Sequence, residues 1–146
     1  MNELVTTMRN KILAFEAWLR ALEAPEPTED NYPVTHHFAP GSYGREIFIP
    51  QGHVVVGKIH KHAHLNVLSQ GRVAVLTEQG VEEFQAPRTW VSVPGTKRVV
   101  FAHTDVVWTT IHVTPETDLT KIEEHVIAKD YDALAQFLAQ QKEQLT

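Results

Sequence analysis

The spacing of apolar residues changes twice along the chain. Over residues 3–23, apolar side chains recur every three or four positions, and two prolines follow. This spacing is typical of an amphipathic helix, and the prolines predict its end. We expect the apolar stripe to pack on the rest of the domain or on a second subunit. The stripe comprises Leu4, Val5, Met8, Ile12, Phe15, Leu19 and Leu22, and the prolines are Pro25 and Pro27.

Between Arg45 and Pro115 the spacing becomes that of β-strands. Short runs rich in β-branched residues are separated at regular intervals by turns containing Gly or Pro. Many short strands at this spacing favour an antiparallel sandwich or barrel. The runs cover residues 47–49, 54–61, 65–68, 73–76, 90–93, 99–101 and 106–113.

The helical spacing returns after Pro115. Asp118 can cap a helix that runs to about Ala128, and a further apolar series predicts a second helix to the end of the sequence. We therefore expect an N-terminal helix in residues 1–24, a mainly β barrel in 25–116 and C-terminal helices in 117–146. That last series is Tyr131, Leu134, Phe137 and Leu138.

Composition narrows the possible functions. The chain has 146 residues, a length suited to one core, and a net charge of −5 without a cluster of Lys or Arg. We therefore expect no binding of nucleic acid. There is no Cys, so thiolate metal sites and cysteine nucleophiles are excluded. We expect neither a signal peptide nor a membrane span, and hence a cytoplasmic protein.

Histidine is unusually frequent and clustered. Of nine histidines, six lie between His53 and His112. Alternate side chains of a strand share a face, so a strand here would direct several imidazoles to one side. On a curved strand they can converge on a divalent metal ion such as Zn, Fe, Mn or Ni, with a coordination position left open. The alternative is a polar barrel interior. The predicted face holds Lys58, His60, His62, His64 and Asn66.

The histidine segment resembles the first conserved motif of the cupins. That motif is Gly, five residues, His-x-His, three or four residues, Glu, six residues and Gly. Gly52 and Gly71 stand at its ends with this spacing. His60 matches the second histidine, whereas Lys58 replaces the first and His64 replaces the glutamate. His62 is additional, and we expect it to substitute for the missing ligand.

A second resemblance lies further along the chain. The turn at Pro94 and Gly95 is similar to the second cupin motif, and Arg98 stands where that motif has a histidine ligand. Because Arg stays protonated, it cannot bind a metal. His103 is our candidate for the fourth ligand, with His112 as an alternative.

The resemblance covers about residues 45–113 and implies a small single-domain cupin, a double-stranded β-helix or jelly roll. The segment that leads in, residues 43–50, is also similar to small cupin-like proteins of phage and bacterial genomes. The likeness implies a metal but no particular reaction, because one fold serves many functions.

Lys58 and Arg98 would lie near the metal, and two cations beside a dication favour an anionic ligand between them. Asn66 and Trp108 are further candidates for ligand binding, and Tyr43 and Lys58 are the candidate catalytic residues.

Three functions follow. The protein is a metal-dependent enzyme, a binder of a small anionic molecule, or an oligomeric interaction protein with a vestigial cavity. On the strand face opposite the histidines, apolar side chains need cover, which predicts a homodimer or larger homo-oligomer. Those side chains are Val55, Ile59, Leu65 and Val67.

Overall fold

The computed structural model describes residues 3–21 and 31–144, with side chains described for 3–17 and 31–144. Helix α1 spans Glu3–Ala21. Its Ile12 is buried against Val56 and Val99, so the middle of the apolar stripe packs on the protein's own barrel, whereas Leu4 is 68% exposed. The rest of the predicted helix end lies outside the described residues: the side chain of Leu19, and Leu22, Pro25 and Pro27.

The described residues form eleven strands in two main antiparallel sheets and one small one. The five-stranded sheet has the order β1-β2-β10-β5-β8, the four-stranded sheet β3-β9-β6-β7, and β4 pairs with β11. The strands are β1 Val34–Ala39, β2 Ser42–Ile49, β3 Val54–Val56, β4 Ile59–His60, β5 His64–Gln70, β6 Arg72–Thr77, β7 Gly80–Gln85, β8 Arg88–Ser92, β9 Val99–Ala102, β10 Val106–Val113 and β11 Ile127–Ala128.

The two larger sheets enclose the main hydrophobic core. Strands β2, β5 and β10 supply one side of the core, and β3, β6, β7 and β9 supply the other. Burial of this apolar area is the main stabilising contribution to the barrel. The buried members are Ile47, Ile49, Val55, Leu68, Val73, Val75, Phe84, Val100, Ala102, Val106 and Trp108.

The inner face of the five-stranded sheet changes from apolar to polar along its strands. In β10, Trp108 lies opposite Ile47 and Leu68, whereas His112 lies opposite Tyr43. Neighbours on one face are two positions apart in the sequence, so each strand changes from core to polar lining within a few positions. One end of the barrel is therefore packed, and the other is lined by polar side chains.

Two C-terminal helices are present as the sequence predicts, although the first ends at Val126, because Ile127 and Ala128 form β11 and pair with β4. Helix α2 spans Leu119–Val126, and the carboxylate of Asp118 accepts hydrogen bonds from the backbone N–H groups of Thr120 and Lys121. Helix α3 spans Tyr131–Gln144. Together with the antiparallel sheets, these helices confirm the predicted fold class.

Ile59 needs cover as expected, and Ala128 and Leu134 provide it. The expectation that Val55 shares this face is wrong, because Val55 lies in the main core. The cause is a break between β3 and β4 at Gly57 and Lys58, which interrupts the alternation of faces.

No helix within residues 3–21 or 31–144 combines the length and apolar character that crossing a membrane requires.

Candidate functional site

A cavity of about 320 Å³ lies at the polar end of the barrel. Helix α2 forms one of its walls, and strands β1, β2, β4 and β10 contribute the others. Its size is at the lower end of the range for small-molecule sites, about 300–1,000 Å³. The described lining residues are Tyr32, Val34, His36, Tyr43, Arg45, Lys58, His60, Arg98, Thr110, His112, Leu119, Ile122, Glu123, Val126 and Ile127.

Three buried histidines cluster beside this cavity. The ring centroids of His60 and His64 are 4.4 Å apart, and that of His112 lies 5.7 Å from His60 and 5.0 Å from His64. They come from β4, β5 and β10. The structure thus brings together two of the predicted metal ligands, with His112 as the third ring.

The three histidines are held neutral. Burial, and then the charge of Arg98, lower the pKa of His64 to about 3 and that of His112 to about 4. The same two causes lower the pKa of His60 well below its usual value. At neutral pH each ring is therefore an uncharged hydrogen-bonding group.

Arg98 is the cation around which this cluster is built. Its side chain is buried, and Nη1 donates to Oγ of Ser92 at 2.9 Å and to Nε2 of His64 at 3.3 Å. The guanidinium also lies over the ring of Trp108, 4.9 Å from its centroid. Nδ1 of His64 is 3.2 Å from the carbonyl oxygen of His62. This places the ring proton on Nδ1 and leaves the lone pair of Nε2 for Arg98.

Asn66 and Trp108 belong to a buried hydrogen-bonded network next to Arg98. Asn66 is fully buried, donates to Oγ of Ser92 at 2.8 Å and accepts from Nε1 of Trp108 at 3.1 Å. Their polar groups therefore satisfy each other and orient Ser92 toward Arg98. Neither residue is among the described residues that line the cavity, so their role in ligand binding stays a prediction. Ser92 and the ring of Trp108 both contact Arg98.

Tyr43 and Lys58 both line the cavity. The hydroxyl of Tyr43 lies 2.6 Å from Nδ1 of His36, and its ring stacks near His112 with centroids 6.3 Å apart. Lys58 forms an ion pair with Glu123 of α2 at 2.5 Å, at the exposed edge of the site.

His62 does not join the other two histidines of its segment. Its Nε2 lies 3.2 Å from the carbonyl oxygen of His125, and its ring packs against His125 and Phe137. The expected convergence of His60, His62 and His64 is wrong because the chain bends at residues 61 and 62, between β4 and β5. The alternation of side chains between two faces requires a continuous strand, and residues 61 and 62 form a bend instead.

His103 also lies away from the cluster. It follows β9 in the turn to β10, where its Nε2 lies 2.9 Å from a carboxylate oxygen of Glu83. Its ring packs on the side chain of Phe101, which is partly exposed. The prediction that His103 joins the other histidines is therefore wrong. The alternative candidate, His112, lies beside His60 and His64.

Several lining residues were missed from the sequence. Arg45 shares the inner face of β2 with Tyr43, and this alternation could have identified it. The apolar residues of α2 carried no such signal, because a short amphipathic helix is expected to use its apolar face for packing.

Solved structures with similar folds identify the architecture. A cupin 2 domain-containing protein from Halorhodospira halophila matches with a TM-score of 0.53 and 18% identity, over 80% of this chain and 81% of the other. This chain has the cupin fold. An ectoine synthase from P. lautus matches with a TM-score of 0.51 and 13% identity, over 63% of this chain and 68% of the other.

Likeness at this identity establishes the cupin fold alone. No protein-family model matches the chain, and no curated protein matches it. The resemblance to the phage and bacterial type of cupin stays a prediction.

The side chains of this site do not fit a metal ion in their present arrangement. Among the described residues, no three side chains of His, Asp or Glu are grouped to hold one. The rings of His60 and His112 are stacked, only 6° from parallel. Their nitrogen lone pairs lie in the ring planes, so they do not converge on one ion. The lone pair of His64 is already directed at Arg98. Nδ1 of His60 is buried, and no described group hydrogen bonds to it.

The lowered histidine pKa values predict a characteristic pH dependence of stability. Histidines of the unfolded chain bind protons below about pH 6.5, whereas His64 and His112 in the folded protein do so only near pH 3 and pH 4. Protons then favour the unfolded state, so the free energy of unfolding falls as pH is lowered from about 6.5 to 4. Each histidine contributes at most about 1.4 kcal/mol per pH unit.

Urea unfolding at several pH values measures this slope. We expect the pH slope of His112→Gln to be less steep than that of the wild type, because this variant lacks one of the buried histidines with a lowered pKa. Equal slopes in His112→Gln and the wild type would contradict the assignment.

Proposed function

We propose that this protein binds a small anionic molecule in the cavity beside the three histidines. The charge of the lining carries the proposal. Among the described lining residues, Arg45, Lys58 and Arg98 are cationic, and Glu123 is the single carboxylate. The site therefore attracts negative charge although the whole chain has a net charge of −5.

The position of Arg98 strengthens this argument. Withdrawing a charged group from water costs several kcal/mol, and a bound anion offsets that cost. A guanidinium can bind a carboxylate or a phosphate through two parallel N–H donors. With its ring neighbours Trp108 and His64 fixing one side, Arg98 is oriented before a ligand arrives.

The neutral histidines suit the same ligand. An uncharged imidazole offers one donor and one acceptor, so His60 and His112 can contact an anion without a change of protonation at neutral pH. Catalytic roles for Tyr43 and Lys58 stay predictions, and both residues are within the cavity lining. If neither residue is catalytic, the protein binds its ligand without performing a reaction, which is the alternative to an enzyme.

The divalent metal ion predicted from the sequence is the second candidate. Three neutral imidazoles within 5.7 Å of one another, and the unsatisfied Nδ1 of His60, favour it. Binding would require Arg98 to leave His64 and the stacked rings to rotate. We therefore propose an anion, and not a metal ion, as the first candidate ligand of this site.

Removal of Arg98 should weaken anion binding. In calorimetric titrations with inorganic phosphate and with acetate, we expect Arg98→Gln to lose about tenfold to hundredfold in affinity, the effect of one charged hydrogen-bonding group. Lys58→Gln, at the exposed edge, should lose less and leaves the buried network intact.

Arg72→Gln and Lys121→Gln are the matched controls, because each removes one positive charge outside the cavity. Equal affinity in Arg98→Gln, Lys58→Gln and these controls would contradict the proposal, as would a wild type that binds neither anion.

A homo-oligomer is also part of the proposal. On the outer face of the five-stranded sheet, Leu65 lies opposite Val91 and Ile111, and Val91 is 61% exposed. This apolar row is an exposed patch suited to a second copy of the chain.

Light scattering at tens of micromolar protein should therefore find a dimer or larger assembly. Val91→Lys should dissociate it, whereas Val81→Lys, at a similarly exposed residue of the other sheet, should not. A monomeric wild type would contradict this part of the proposal.

A further inference from the structure

We infer that the ligand is an amphipathic acid, a molecule with an anionic head and a compact apolar body. The inference rests on the proposed function and adds the chemical class of the ligand. It comes from the uneven distribution of charged and apolar side chains around one cavity.

The apolar part of the cavity is a stripe along α2. Leu119, Ile122 and Val126 are spaced three and four residues apart, so they lie on one face of the helix, and all three line the cavity. Ile122 and Val126 also pack against the ring of Tyr43. Asp118 caps the first turn and fixes where this face begins. The helix thus presents a continuous apolar wall.

Leu119 is the residue of this wall that a ligand would cover most. Ile122 and Val126 are 2% and 6% exposed, whereas Leu119 is 45% exposed although it borders the cavity. Covering this apolar surface with another apolar group lowers the free energy, because it removes the surface from water. A phosphate or acetate ion would leave it wet.

The cationic part of the cavity comes from other elements. Arg45 belongs to β2, and Arg98 directly precedes β9, so both belong to the barrel and not to α2. Lys58 holds α2 to the barrel edge through Glu123. A ligand with its acid group at Arg98 and its body along α2 would satisfy both parts of the lining.

Size limits the ligand further. The cavity of about 320 Å³ has room for a metabolite-sized body but not for a long lipid chain. We therefore expect affinity to rise with chain length and then to reach a limit.

A series of straight-chain carboxylates tests the inference by calorimetry: acetate, butyrate, hexanoate and octanoate. Each added methylene that becomes buried should strengthen binding about threefold to fourfold. Hexyl phosphate tests whether the acid group is a carboxylate or a phosphate, and hexanol tests whether the charge is needed. We expect hexanol to bind at least tenfold more weakly than hexanoate.

Leu119→Ser should reduce the dependence on chain length, so that hexanoate loses more affinity than acetate does. Leu138→Ser, a similarly exposed leucine on α3 outside the cavity, is the control and should keep the wild-type series. Equal affinities for acetate and hexanoate, with both weakened by Arg98→Gln, would overturn this inference and leave the proposed function standing. Failure of every anion to bind would overturn both.

Discussion

A guanidinium enclosed in a barrel determines the character of this site. Arg98 is 8% exposed and contacts His64, Ser92 and the face of Trp108. Its charge, together with burial, lowers the pKa of three neighbouring histidines. It also occupies the lone pair that His64 would offer to a metal ion. One side chain therefore favours an anion and opposes a cation at the same place.

The barrel can hold such a charge because its two ends differ. Between the sheets, apolar side chains from seven strands form the main core, and this packing stabilises the fold. The strand register then carries the polar residues into the other end, where Thr110 lies between Arg45 and Asn66. Asn66 connects the two ends, since it hydrogen bonds to both Trp108 and Ser92.

Much of the fold could be predicted because its signals are local. Runs of β-branched residues, turn glycines and the cap at Asp118 each depend on a few neighbouring positions. The sequence also pointed to His60, His64, Arg98, Lys58 and Tyr43, which all lie at or beside the cavity.

The predictions of site residues were wrong where they assumed an unbroken strand, or where they depended on contacts between residues far apart in the sequence. The bend at residues 61 and 62 turns His62 toward His125, and no local signal marks it strongly. His112 reaches the cluster through the pairing of β10 with β2 and β5, which is a long-range contact. The apolar wall of α2 depends on how that helix docks on the barrel.

The metal content of the protein tests the central claim most directly. Elemental analysis of protein purified without a histidine tag should be paired with nickel and zinc titrations of the wild type and Arg98→His. The account predicts no stoichiometric metal in the wild type, and a gain of metal binding when an imidazole replaces the guanidinium. A tightly held, stoichiometric metal ion in the wild type would contradict it.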